Sequence, residues 1–201
     1  MKRYRSARDV LAAVERALAG DKPVQHTETL QEITRILHDD RHYFWVGIYL
    51  VIGKQAVRVA FSGPEAEQEP CASIALGRGN VGSTAQDGKR RVVPDVSADT
   101  AYIRCFHETR SEIATPIKIA GRVIGVLDAE SDRLNEFGSE DRVLLGNVAG
   151  KLARFLTGKG KYVVRRFREG AVEPAEARGY QPSSERSMEP SRKVAAGEKS
   201  R

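Results

Sequence analysis

Cysteine is scarce in this sequence: Cys71 and Cys105 are the only two in 201 residues. Two thiols do not make the disulfide framework of a small secreted domain. They suit a reducing cytoplasm, where a pair is more often redox-active or inert than structural. Long apolar runs are missing as well, and none approaches the ~18 residues needed to cross a bilayer. The basic start, Met1-Lys-Arg-Tyr-Arg-Ser, leads into no apolar segment, so no signal peptide is read. A broadly basic body is also absent. Of the net charge of +6, the stretch from Gly158 to Arg201 carries +5, with eleven Lys/Arg against six Glu, which leaves the first 157 residues almost neutral. A basic tail touches nucleic acid weakly through salt-sensitive contacts. Neither specific nucleic-acid binding nor membrane association is expected.

What is present is one domain over residues 1–157, followed by a basic, disordered tail over 158–201 that lacks periodicity. Residues 7–19 have helical spacing, with Val10, Leu11, Val14 and Leu18 on one face, Ser6 as N-cap, and Gly20 and Pro23 as the stop. A second helix runs from about Thr27 to Leu37. Tyr43–Ile52 alternates as a strand, with Trp45 and Tyr49 on one face, and turns at Gly53 into a returning strand, Ala56–Ser62. After a polar loop to Pro70, Cys71–Leu76 is a short strand. Gly77-Arg-Gly79-Asn-Val-Gly82 follows and leads into about one helical turn, Ser83–Gln86. This spacing matches the dinucleotide-binding fingerprint, but no second parallel strand completes a βαβ unit, so the glycines are read as a tight strand-to-helix turn beside a pocket. Arg91–Pro94 is a strand and Asp95–His107 a binding loop that carries Cys105. Ser111–Ile119 and Arg122–Ala129 form a hairpin, the second arm apolar on both faces and therefore central. Ser139 is expected to cap a last helix to about Leu156, with Leu144, Leu145, Val148, Leu152 and Phe155 as its stripe. In the tail, Tyr162–Phe167 could pair as a short strand. The fold class is α+β: an antiparallel sheet of five or six strands, helices packed on one face and a pocket under loops on the other.

The candidate chemistry lies between Cys71 and Ser131. His107 and Arg110 stand near Cys105 in sequence, and positive charge raises the thiolate fraction of a thiol. Asp128 and Glu130 are two apart on a strand and share a face, and Glu112 is on the partner arm. If all three converge, they cannot all ionise, and at least one keeps its proton near neutral pH. For Trp45, core packing and an aromatic pocket wall weigh evenly. A metal centre from Cys71, Cys105 and His107 would need a recruited fourth ligand. No serine-nucleophile arrangement is present, and only His107 could ligate a haem.

The pattern Cys71-x-x-Ile74, Gly77-Arg-Gly79-x-x-Gly82, Val93-Pro94-Asp95-Val96, Ile103-x-Cys105, Ser111-Glu112-Ile113 and Val123-Ile124-Gly125-Val126-Leu127-Asp128 resembles the free methionine-(R)-sulfoxide reductases, which are stand-alone GAF domains. The likeness runs from about Trp45 to Phe137. It implies a GAF fold and thiol-dependent reduction of free methionine-(R)-sulfoxide. Cys105 would attack, Cys71 would resolve as a Cys71–Cys105 disulfide, and Glu112, Asp128, Glu130, Trp45 and Tyr49 would form the substrate pocket. It implies no metal and no bound cofactor, an external dithiol such as thioredoxin as reductant, and a homodimer. The chain departs from the pattern where the family has Gly-x-Gly-Val-Cys-Gly. The turn here reads Gly77-Arg-Gly79-Asn80-Val81-Gly82, with Val81 in the place of that cysteine, and Phe106 follows Cys105 where Asp is common. A non-catalytic GAF module that binds a small ligand is the alternative.

Overall fold

The computed structural model describes residues 4–20, 26–64 and 71–169. Residues 170–201, where most of the disordered tail is expected, lie outside it, as do Pro23 and most of the loop up to Pro70. The elements run α1 Ala7–Ala19, α2 His26–Arg41, β1 Trp45–Ile52, β2 Gln55–Ser62, β3 Ser73–Ala75, α3 Gly79–Asp87, β4 Arg91–Val93, a 3-10 turn Val96–Ala98, β5 Ser111–Ile119, β6 Arg122–Ser131, α4 Ser139–Thr157 and α5 Lys161–Arg168. The strands make one six-stranded sheet in the order β3-β2-β1-β6-β5-β4, and every pairing is antiparallel. The α+β reading therefore holds, and a βαβ unit is excluded.

The two faces of the sheet separate by residue parity, as a pleated strand requires. Val46, Ile48 and Leu50 of β1, Ile113 and Ile117 of β5 and Leu127 and Ala129 of β6 point toward α1, α2 and α4, where they join Val10, Val14, Leu30, Ile33, Leu37, Leu144, Leu145, Val148 and Leu152 in the main core. Trp45, Tyr49, Ala114 and Val126 point the other way, into a second cluster with Ile74, Val81, Ala85, Cys71, Cys105 and Phe106. Pro116 falls on β5 beyond the stretch Glu112–Ala114 that pairs with β4, where β6 lies alongside.

Several local expectations change. The helix after the glycine turn is nine residues long, not one turn, and packs on the pocket face, so helices cover both faces of the sheet. Gly77 and Gly79 adopt left-handed φ values of +85° and +58°, as a tight turn into α3 demands, and a Cβ on Gly79 would stand 2.9 Å from the Ile103 side chain. Cys71 precedes β3 instead of lying on it. Ser6 caps α1, its Oγ accepting from the Asp9 N–H at 3.2 Å. The N-cap of α4 is Gly138, not Ser139; the Asp141 carboxylate accepts from the Gly138 N–H at 3.1 Å. The segment expected to pair as a strand, Tyr162–Phe167, lies inside helix α5, and Val164 packs against the main core. Those basic residues thus continue the helical layer beyond residue 157. Among the described residues, no helix is long and apolar enough to cross a membrane.

Candidate functional site

The second cluster encloses a small cavity lined by Tyr49, Ile74, Gly79, Asn80, Val81, Ile103, Cys105, Glu112, Asp128 and Glu130. Sheet register explains why three acids meet there. Glu112 of β5 pairs directly with Glu130 of β6, and Trp45 of β1 pairs with Glu130 from the other side. One row along, Asp128 is flanked by Gly47 of β1 and Ala114 of β5. Asp128 itself lines the cavity, while its two neighbours do not. A Cβ on Gly47 would lie inside the Trp45 ring, so Trp-x-Gly-x-Tyr is a packing motif in which the glycine makes room for the indole.

Glu112, Asp128 and Glu130 are all buried, at 4, 2 and 3 % exposure. A solvent-facing edge with salt bridges to Arg110 or Arg122 is therefore not what the fold provides. Burial pushes the Glu112 carboxyl up to about 8, with the charge of Glu130 adding to it. Burial likewise raises Glu130 to about 7, against the hydrogen bonds from Thr109 and Tyr102. Asp128 is raised well above the ordinary carboxylate range, first by burial and then by Glu112 and Glu130. Mutual repulsion was the cause expected from sequence. It contributes, but desolvation is the larger cause.

The donors are unequally shared. Glu130 Oε2 accepts from the Tyr102 hydroxyl at 3.3 Å and from Thr109 Oγ1. Glu112 Oε2 accepts from the Asn80 amide at 2.7 Å. Asp128 shares a hydrogen bond with Glu112, yet its Oδ1 has no partner among the described residues. Asn80, Thr109 and Tyr102 escape sequence reasoning. Only Asn80 leaves a trace, as a polar residue in the first turn of a helix that opens on a glycine turn.

Cys71 and Cys105 are joined in a disulfide with a Cα–Cα distance of 6.0 Å, inside the roughly 4.4–6.8 Å that such a bond spans. Both sulfurs are buried, and neither is available as a thiolate ligand in this state. His107 and Arg110, expected beside Cys105, are exposed. Phe106 instead anchors the Cys105 loop, packing 5.6 Å from both Phe44 and Trp45 between ring centroids. Tyr49 lines the cavity, and its hydroxyl donates to the Cys71 carbonyl at 3.1 Å. Trp45 is not among the lining side chains. It backs Tyr49 in an aromatic stack with Phe61 and Phe106. Arg58, buried at 1 %, stacks 4.5 Å from the Phe61 ring centroid, and its charge acts on Tyr49. With the disulfide closed, the cavity volume is about 10 Å³, room for one water at most.

The chain is similar to known proteins in sequence and fold. The sequence pattern of the GAF domain family matches residues 26–156. GAF domain-containing protein A of Dictyostelium discoideum is 36% identical over 141 residues, 70% of this chain and 85% of that protein. The free methionine-R-sulfoxide reductase of Escherichia coli (strain K12) is 30% identical over 112 residues, 56% of this chain and 66% of that protein. The X-ray structure of the free methionine-R-sulfoxide reductase from Neisseria meningitidis, in complex with its substrate, superposes with a TM-score of 0.71 at 32% identity, covering 81% of this chain and 99% of that one. The match over residues 26–156, with which the order of elements agrees, places this chain in the GAF domain family.

Proposed function

We propose that this protein reduces free methionine-(R)-sulfoxide to methionine with electrons from its two cysteines. The observation that carries the reading is the convergence of Cys105 with three buried acids in one cavity. The substrate has an ammonium group and a sulfoxide oxygen. The first needs a carboxylate, and the second needs a proton as it leaves. A cluster that titrates around neutrality supplies both, because its members cannot all ionise together.

In the reduced enzyme, the Cys105 thiolate attacks the sulfoxide sulfur. A protonated carboxyl, for which Asp128 is best placed because burial and two neighbouring acids raise its proton affinity and its Oδ1 has no partner among the described residues, gives its proton to the departing oxygen. The oxygen passes to Cys105 as a sulfenic acid, and methionine, two electrons richer, departs. The Cys71 thiol then attacks the Cys105 sulfur, water leaves, and the disulfide forms. The 6.0 Å Cα separation lets the two residues resolve directly, without a third cysteine at Val81. An external dithiol of the thioredoxin type restores both thiols by exchange. Such a cycle suits a reducing compartment such as the cytoplasm, and a second copy of the chain is the partner expected from the resemblance. A cavity of about 10 Å³ excludes any amino acid, so substrate enters only the reduced form.

Single-turnover reduction of free L-methionine-(R)-sulfoxide by the prereduced protein tests this. Wild type should yield one methionine and one disulfide, Cys105→Ser none, and Cys71→Ser one methionine without a disulfide. If wild type forms no methionine while the compound still raises its Tm, the reductase reading falls and a ligand-binding module remains.

A further inference from the structure

The three acids differ in one respect that the resembled pattern does not contain. Asn80 stands in the first turn of α3, only 6% exposed, where that pattern has valine. Its Nδ2 donates to Glu112 Oε2 at 2.7 Å and to Asp99 Oδ2 at 3.2 Å. We propose that Asn80 is a positioning residue for the reduction: by donating to Glu112 it widens the gap by which Glu112 releases its proton before Asp128 does, so that Asp128 is the acid left to protonate the sulfoxide oxygen. The proposal rests on the reductase reading for its catalytic consequence, but not for its proton order.

A donor aimed at a carboxylate stabilises the charged form and lowers its proton affinity. Glu130 has two hydroxyl donors, Glu112 has the Asn80 amide and the bond it shares with Asp128, and Asp128 has that shared bond and the Ala129 backbone N–H, with its Oδ1 unpartnered among the described residues. The order of ionisation that follows is Glu130, Glu112, Asp128. The other groups facing Glu112 act both ways. Glu130 on β6 and Asp99 on the loop are acidic and raise Glu112, whereas the hydrogen bond from Asp128 lowers Glu112 and raises Asp128, in the same direction as the Asn80 amide. Tyr49 on β1 and Tyr102 on the loop stay neutral through the range, and the Arg58 charge on β2 acts through Tyr49. Without the amide, Glu112 holds its proton more tightly and the gap to Asp128 narrows, so the acid next to the sulfoxide is protonated in a smaller share of the molecules.

The carboxyl carbon of Glu112, followed by NMR against pH in the oxidised protein labelled with carbon-13 at glutamate, reads this directly. Its signal is assigned by its loss in Glu112→Gln. In Asn80→Val the Glu112 midpoint should rise by about one pH unit, a tenfold gain in proton affinity. Asn80→Asp, which keeps the shape but replaces the donor with a further charge, should raise it more, and Asn80→Ser, which retains a donor, should restore most of the wild-type value. In the prereduced protein, the pH profile of kcat/KM should shift in the same direction. A Glu112 midpoint unmoved in both Asn80→Val and Asn80→Asp overturns the proposal, whether or not sulfoxide is reduced. A midpoint that moves in a chain that reduces no sulfoxide upholds the proton order and removes the reductase reading alone.

Discussion

Two groups of buried carboxylates lie on opposite faces of the same sheet, and the fold treats them in opposite ways. On the helical side, Asp141 of α4 is fully partnered. Arg41 Nη2 and the Tyr43 hydroxyl each donate to its Oδ1 at 2.7 Å, and the Gly138 N–H donates to its Oδ2. The charge is met by a guanidinium, a phenol and the positive end of a helix. On the pocket side, Glu112, Asp128 and Glu130 have only neutral donors and one another. The first arrangement ties α2 to the start of α4. The second keeps a set of charges unresolved until something cationic arrives, and a free amino acid is cationic at its ammonium. A buried acid thus reads as structural or functional by whether the protein itself has answered its charge.

The comparison breaks most visibly at Asp141. Asp141→Ala takes from the buried Arg41 its close partner and leaves only the 3.5 Å contact with the exposed Glu140, which should destabilise the protein by roughly 3–5 kcal/mol. Activity per folded molecule should hold, and denaturant unfolding beside single-turnover yield checks both. A stability loss well under that range would mean that the Glu140 contact suffices for Arg41. Asp128→Asn should do the reverse. Turnover should fall by at least about a hundredfold, the usual contribution of a general acid. Stability at pH 8 should rise, because an amide needs no proton to be buried. Two acidic substitutions with opposite signs on stability would establish that the faces differ in kind. The same sign for both would collapse the distinction.

Much of this was legible in the sequence because it rests on periodicity. The alternation of β1 placed Trp45 and Tyr49 together, and the i, i+2 spacing placed Asp128 with Glu130. The stripe of α4 and the cap of α1 followed from helical spacing and one serine. The rest required pairing that no local pattern contains. That Glu112 sits opposite Glu130 is a matter of hairpin register, set by a bulge at Ile117/Lys118. Arg41, Tyr43 and Asp141 are up to 100 residues apart in sequence. The placement of α5 was misread because the apolar residues of Lys161–Arg168 are too few to separate period 2 from period 3.6. Trp45 went to the wall behind the cavity because Gly47 lets its ring lie flat over the strand.

The smallest effect is also the one that isolates the pocket from all other titrations. Glu112 is raised from 4.5 to about 8 and Glu130 from 4.5 to about 7 in the folded protein. A carboxyl raised on folding binds more protons folded than unfolded, so its contribution to stability is complete below the unfolded value and is lost as pH rises through the folded one. The oxidised protein should therefore be most stable near pH 5 and lose Tm steadily from there to about pH 8, in the window where ordinary paired acids have already finished titrating. Glu112→Gln removes one contributor. It should flatten the upper part of that fall, leaving the variant more stable than wild type at pH 8 and little different at pH 4. Tm measured against pH for the two proteins side by side decides it. Parallel curves would mean that Glu112 is answered in the folded state after all, like Asp141, and that the pocket holds fewer unresolved charges than its geometry indicates.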